Sequence, residues 1–198
     1  MEEQTIFYFY VHFKDLIAKY CDLWEKRFCE KGTFLFEIGK TILGLYFCES
    51  GIVRTYSIDK ESGEEITNRF LSENDPIIPF ANLAQNVPMV SNVHVIEAGW
   101  FYFITKENFK IIMEKEPNIK DILLEEALNA CTYSHEYQYD SSRLDFQDWY
   151  ELWREKYPYL SRIPDEYVGS LFGVHRVTIN RAKKELIIKM KKAAKPKK

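Results

Sequence analysis

Paired cysteines are missing from this sequence. Cys21, Cys29, Cys48 and Cys131 are spread along the 198 residues without a CxxC, which excludes a zinc knuckle and a thioredoxin-type site and leaves free buried thiols as the expected state. Four thiols match the number an iron–sulfur cluster takes, but only Cys21 and Cys29 lie near each other and Cys48 falls inside an expected strand. Histidine is equally sparse. His12, His94, His135 and His175 are isolated, so the chain lacks the two histidines one residue apart of a metal-binding barrel enzyme and marks no axial haem ligand. Neither a cofactor, a metal nor a catalytic set is expected, and the chain is not read as an enzyme. Long apolar runs are absent as well: the longest, such as Gly99 to Thr105, fall far short of the roughly 20 residues that a membrane-spanning helix needs. The opening MEEQTIFYFYVHFKD is apolar in its middle but begins with two acids and has neither a basic leader nor a small-residue cleavage site, so no signal peptide is expected. A soluble, cytoplasmic protein with no membrane partner is the expectation.

What the chain does have is core material: 46% apolar and 16% aromatic residues, ample for a packed interior. From about Lys31 to Phe103 it reads as short strands between turns, in TFLFEIGK, GLYFCESG, IVRTYSID, EITNRFLS, SNVHVIEAG and WFYFIT, with KESGEE as a hairpin tip. Strands at this spacing suggest a compact barrel or roll. After Lys106 the pattern turns helical, first in ENFKIIMEKEP and then in PNIKDILLEEALNACTYSHEY, where Ile119, Leu123, Ala127, Ala130 and Tyr137 recur at three- and four-residue intervals. Such a stripe can pack on its own roll or on a second copy of itself. QYDSSRLDFQDWYELWREKYP reads as an aromatic-rich amphipathic helix. LSRIPDEYVGSLFG and VHRVTINRAKKELIIKMKK then outline a short helix, a turn and a longer helix, with Pro164 suited to a helix start and Gly173 to a left-handed helix end.

Charge is concentrated in that last segment. Residues 162–198 hold eleven Lys or Arg against three acids, a balance of +8, and leave −11 on the other 161 residues. A basic module on an acidic body is what binding to backbone phosphates would produce, although the terminal KMKKAAKPKK alone is also what a solvated tail looks like. The helix before the tail says more. Advancing about 100° per residue from Arg176, Ile179, Ala182, Leu186 and Thr178 fall on one side, and Arg176, Asn180, Lys184, Val177 and Arg181 on the other. Arginine can donate two hydrogen bonds to guanine, asparagine can pair with adenine, and a valine methyl can meet the thymine methyl. A basic solvated face is the plain alternative.

At this point the sequence resembles the Crp/Fnr transcription regulators, over most of its length. The front half carries the family's roll pattern in KGTFLFEIGKTILGLYFCESGIVRTYSIDKESGEEITNRFLSEND, and the back half carries the more specific motif, RIPDEYVGSLFGVHRVTINRAKKEL, which resembles the family's helix-turn-helix. The resemblance implies an α+β chain: a double-stranded β-helix (jelly-roll-like β-roll) sensor over 1–113, a dimerisation helix over 114–139, and a helix-turn-helix DNA-binding domain with a basic tail over 140–198. It implies double-stranded DNA as partner, a homodimer on an inverted repeat, and RNA polymerase as a further partner of an activator, though no motif here marks a surface for it. Arg176 and Arg181 align with base-contacting arginines and Thr178 with a phosphate contact; His175, Val177, Asn180 and Lys184 complete the expected DNA-facing set. Val177 stands where studied members have a glutamate that accepts from cytosine, so a different operator is expected. The wing hairpin of longer members is not expected here.

The resemblance also bears on the ligand. Members that respond to cyclic AMP carry a Gly-Glu pair and an Arg-Ser-Ala or Arg-Thr-Ala run. In SENDPIIPFANLAQNVPMVSNVHVIEA neither occurs, Ile78, Pro79 and Phe80 stand near the first signature, and residues 72–98 hold no cation except His94. A buried phosphate would have no partner, so no response to cyclic AMP is expected. An unknown small-molecule effector could occupy an apolar pocket near Ile77, Phe80, Leu83 and Val90, residues that equally suit an empty, packed roll. A regulatory ligand- or protein-binding module of the same fold without DNA binding is the alternative reading.

Overall fold

The computed structural model of the chain describes residues 13–193. The apolar opening before Phe13, His12, and the last five residues with Lys195, Lys197 and Lys198 lie outside the described residues.

Eight strands form the front of the molecule: β1 (Glu25–Cys29), β2 (Phe34–Phe36), β3 (Gly44–Cys48), β4 (Ile52–Ile58), β5 (Glu65–Leu71), β6 (Pro76–Ile77), β7 (Asn92–Glu97) and β8 (Gly99–Thr105). They pair antiparallel in two four-stranded sheets, in the orders β1-β8-β3-β6 and β2-β7-β4-β5, the two layers of a roll. Alternation along the strands turns Val53, Val93, Val95 and Phe101 inward, where they pack with Leu35, Phe36, Ile77 and Met89. Six strands coincide with the segments expected from alternation. The other two were not expected. β1, with the sequence EKRFC, buries only Cys29, and β6 is two residues long. The β4–β5 hairpin turns on Asp59, whose Oδ1 accepts from the Glu61 and Ser62 amides at 3.0 and 2.7 Å, and on Gly63 at φ +74°.

Residues 13–19 are helical (α1), and the other helices are α2 (Phe80–Gln85), α3 (Lys106–Lys115), α4 (Ile119–Arg143), α5 (Phe146–Lys156), α6 (Asp165–Phe172) and α7 (Arg176–Ala193). Phe109, Ile112, Ile119 and Ile122 of α3 and α4 pack with Phe13, Leu16 and Ile17 on Leu45, Phe47 and Ile104 of the roll. The expected break between the long helix and the next one needs correction. Residues 138–143 continue α4, because QYDSSR contains no glycine or proline to stop it. The chain turns at Leu144, which is extended, and Asp145 then caps α5 by accepting from the Asp148 amide at 3.0 Å. The thiols also differ from expectation: Cys29 and Cys48 are buried in the roll, but Cys21 and Cys131 are exposed, since they lie on surfaces of a short helical turn and of α4.

A third cluster joins the two ends of the chain. Ile52, Phe70 and Ile96 of the roll and Tyr133 of α4 share one core with Trp149, Tyr150 and Trp153 of α5, Val168, Leu171 and Phe172 of α6, and Ile179 and Ala182 of α7. Burying one such large side chain contributes about 1.5–3 kcal/mol. The C-terminal helices are therefore packed on the roll and on α4.

Candidate nucleic-acid interface

Backbone chemistry fixes the α6–turn–α7 unit. The Pro164 carbonyl accepts from the Tyr167 and Val168 amides at 3.0 and 3.1 Å, so proline stands just before the helix, where its missing N–H leaves no bond unmade. Asp165 and Glu166 follow in the first turn, the end at which carboxylates are favoured. Gly173 closes α6 at φ +67°, a left-handed conformation that costs other residues about 1–2 kcal/mol. Gly169 has a different role. A Cβ there would lie 2.5 Å from the Val174 carbonyl oxygen, so only glycine lets the turn fold back onto α6. The His175 carbonyl then accepts from the Thr178 amide at 2.9 Å and starts α7.

On α7 the inward side is short and apolar. Ile179 and Ala182 are fully buried against α6, and Thr178 and Leu186 are half-buried. Every other residue of the expected set, His175, Arg176, Val177, Asn180, Arg181 and Lys184, is exposed, with Val177 at 71%. The structure thus brings six of the seven onto α7 and leaves His175 in the turn just before it, with six side chains exposed and Thr178 at the edge. Charge pairing separates the two sides. Lys183 pairs with Asp165 of α6, and Lys189 with Glu151 of α5 at 2.7 Å. Among the described residues, Arg176, Arg181 and Lys184 have no ion pair. Asn180 turns its Nδ2 back to the Arg176 carbonyl at 3.0 Å, so it must change rotamer to reach outward.

The four residues expected around an effector are not gathered into one cavity. Ile77 is sealed in the roll core, Leu83 is half-buried between two clusters, and Val90 is 76% exposed because Met89 takes the inward place beside it. Phe80 instead faces α4 across an open groove of about 510 Å³, with Ala127, Ala130, Cys131, Ser134 and His135 on the far wall. The cations of the β4–β5 pair have partners nearby: Arg54 with Glu65, and Arg69 beside the buried Asp75 and Glu126, whose carboxyls feel its charge.

Along α4 the stripe read from the sequence faces its own chain. Ile119 is buried, Leu123 packs on the roll, and Tyr137 donates to the Leu171 carbonyl at 2.5 Å. A second stripe, not seen in the sequence, faces out: Leu124, Leu128, Cys131 and His135, at four-, three- and four-residue steps, the two leucines 60% and 57% exposed. No helix among the described residues is long and apolar enough to cross a membrane.

Residues 26–116 match the family model of the cyclic nucleotide-binding domain. Among solved structures, a transcriptional regulator assigned to the Crp/Fnr family from Eubacterium rectale has a TM-score of 0.66 at 18% identity, covering 85% of this chain and 81% of its own. FixK2 from Bradyrhizobium japonicum has a TM-score of 0.69 at 11% identity, covering 84% and 85%. The chain has the Crp/Fnr fold. A third structure of that fold, the c-di-GMP responsive global regulator CLP from Xanthomonas campestris, has a TM-score of 0.64 at 16% identity, covering 87% of this chain and 91% of its own. No curated protein sequence gives a significant match. At these identities the likeness concerns the Crp/Fnr fold itself, and the neighbours that share it are transcription regulators.

Proposed function

We propose that this chain is a sequence-specific, DNA-binding transcription regulator that reads an inverted repeat as a homodimer, each subunit laying α7 in the major groove. The observation that carries this reading is the division of charge on α7, where body-facing lysines have acidic partners and outward Arg176, Arg181 and Lys184 have none. Arg176 and Arg181 contact base edges, Val177 meets a thymine methyl, Lys184 and His175 approach phosphates, and Thr178 sits at the groove edge. Asn180 adds a base contact once released from the Arg176 carbonyl. The outer stripe of α4 supplies the dimer seam, since exposed leucines at heptad-like steps are what a partner helix covers. The division into sensor 1–113, connecting helix 114–139 and DNA-binding segment 140–198 belongs to the same proposal, as do a cytoplasmic location and a polymerase contact on activation.

Cyclic AMP is not the effector in this reading: Phe80 stands near where the ribose would need an acceptor, Arg54 is paired with Glu65, and the charge of Arg69 already acts on the buried Asp75 and Glu126. An effector, where there is one, enters the groove between Phe80 and α4. The test is selection from a random duplex library with purified protein and no added ligand, at about 150 mM salt, where non-specific binding is weak. A two-fold symmetric motif is the expected result. Salt-independent recovery of no motif would overturn DNA reading and favour a module that binds protein or ligand only.

A further inference from the structure

The sheet edge beside α6 is finished by a single hydroxyl. β5 is the outer strand of its sheet, and an edge strand leaves every second N–H and C=O without a ladder partner. Ser170 Oγ, on α6, donates to the Glu65 carbonyl at 2.9 Å and accepts from the Thr67 amide at 2.9 Å. One side chain thereby serves both outward groups of an edge segment and ties the helix to it. One turn earlier, the Tyr167 ring lies 4.3 Å from the Arg54 guanidinium, and the Tyr56 ring lies 4.5 Å from it. Arg54 is itself 2% exposed and donates from Nε to Thr67 Oγ1 at 2.8 Å.

A second attachment lies ahead of α6. Arg162 donates to both Glu73 oxygens, at 3.0 and 2.6 Å, and also to Glu97, from Nε at 3.0 Å. Glu73 follows β5 and Glu97 ends β7, so one guanidinium spans two strands of the roll. A planar fork with five donors can hold two carboxylates in fixed geometry, which an ammonium cannot. Together with the shared core, these contacts tie α6 and the segment before it to the roll at two separate places.

We infer that Arg162 and Ser170 are positioning residues, which hold the α6–α7 unit on the roll as one rigid body so that the roll sets the angle at which α7 is presented. Neither touches the outward face of α7. The rigid coupling stands independently of DNA binding; only its consequence for half-site spacing rests on the proposed function.

The test uses the full chain. Backbone ¹⁵N relaxation compares the rotational correlation time of amides in β3, β4 and β7 with that of amides in α7. One shared value is expected in the natural protein, and a shorter value for α7 in Arg162→Ala/Ser170→Ala. In Ser170→Ala the Thr67 amide should exchange about tenfold faster, as expected when one hydrogen bond is lost, and Ser170→Thr, which keeps the hydroxyl, should restore it. Should the double variant fail to fold, Ser170→Ala alone gives both readouts, because it removes one hydroxyl from a partly exposed site. On duplexes whose half-site separation varies by one or two base pairs, the natural protein is expected to prefer one separation and the variant to lose that preference. Unequal correlation times in the natural protein, or variants with unchanged Thr67 exchange, would overturn the inference. So would coupled variants that lose Thr67 protection yet keep the same correlation times and spacing preference. If the correlation times behave as expected and no duplex is bound, the DNA reading fails and the rigid coupling stands.

Discussion

Glu126 of α4 is a carboxyl in a place that disfavours its charge. It is 7% exposed, its nearest side-chain donor is Asn129 Nδ2 at a long 3.5 Å, and Asp75, another buried carboxyl, repels its charge while Arg69 partly offsets it. Burial is the largest cause, and it raises the pKa from 4.5 to about 7. A group whose pKa is raised on folding stabilises the folded state at low pH and loses that contribution as pH rises. Relative to a neutral isostere, the carboxyl should cost about 2 kcal/mol at pH 6, where folding must protonate it, and about 3 kcal/mol at pH 8, where it is held ionised, with little cost below pH 4.5. Glu126→Gln removes the titration and keeps the shape. The variant should therefore match the natural protein below pH 4.5 and exceed it in stability by about 3 kcal/mol at pH 8.

Urea unfolding followed by tryptophan fluorescence measures this directly, since Trp24, Trp149 and Trp153 are buried. With slopes of about 1–3 kcal/mol/M, the gap between the two midpoints should open by roughly 1 M or more from pH 5 to pH 8. Midpoints that run parallel over that range would refute the reasoning and mean that Arg69 holds Glu126 as a satisfied carboxylate. Because Glu126 lies on a buried side of α4, within the field of Arg69 and Asp75 of the roll, the same titration should loosen α4 on the roll above pH 7.

Three further outcomes are expected. Arg181→Ala should weaken binding to the selected duplex by about 1–3 kcal/mol and relax preference at one base position, with non-specific binding reduced much less; equal losses on both, measured by fluorescence anisotropy, would count against a base contact. Gly169→Ala places a methyl 2.5 Å from the Val174 carbonyl and should destabilise the chain by about 1–3 kcal/mol while abolishing specific binding; a calorimetric melt unchanged from the natural protein would show that the turn can give way. Leu128→Glu puts a charge into the proposed seam and should yield monomers in light-scattering chromatography, whereas a dimer of unchanged mass would place the seam elsewhere.

The roll was legible because two-residue alternation survives in β4, β7 and β8, whose inward residues must be apolar to fill a sheet interior. β1 was not, because its charged residues lie on the outside and one buried cysteine is too little pattern. The packed side of α7 followed from spacing alone: Ile179 and Ala182, placed inward by a 100° step, are its two fully buried side chains among the described residues. On α4 the same method found only half of the helix. Apolar residues there serve two faces, and the inner stripe of Ile119, Leu123 and Tyr137 masked the outer stripe of Leu124 and Leu128. The effector pocket failed for a different reason, as adjacent residues such as Met89 and Val90 point to opposite sides of the backbone. Ser170 and Arg162 carry no local signal at all. Their partners, Glu65, Thr67, Glu73 and Glu97, lie 65 to 105 positions away, and only the folded chain brings them together.

The arrangement of charge on α7 is better explained by what it attracts than by what it stabilises. Exposed ion pairs contribute about 0–1 kcal/mol, so leaving Arg176, Arg181 and Lys184 without acids gains the fold nothing. It does keep their full charge available to a polyanion, because a neighbouring carboxylate would compete with each phosphate for the same donors. Glu185, one turn beyond Arg181, is not paired with it, whereas Lys183 and Lys189, which face the body, are held by Asp165 and Glu151. The balance of −11 on the first 161 residues acts in the same direction, since a duplex is repelled by the roll and drawn to the other end of the chain. In the proposed reading, orientation on a duplex is set by charge before any base is read, and the contacts of Ser170 and Arg162 would carry that orientation from the roll to the helix.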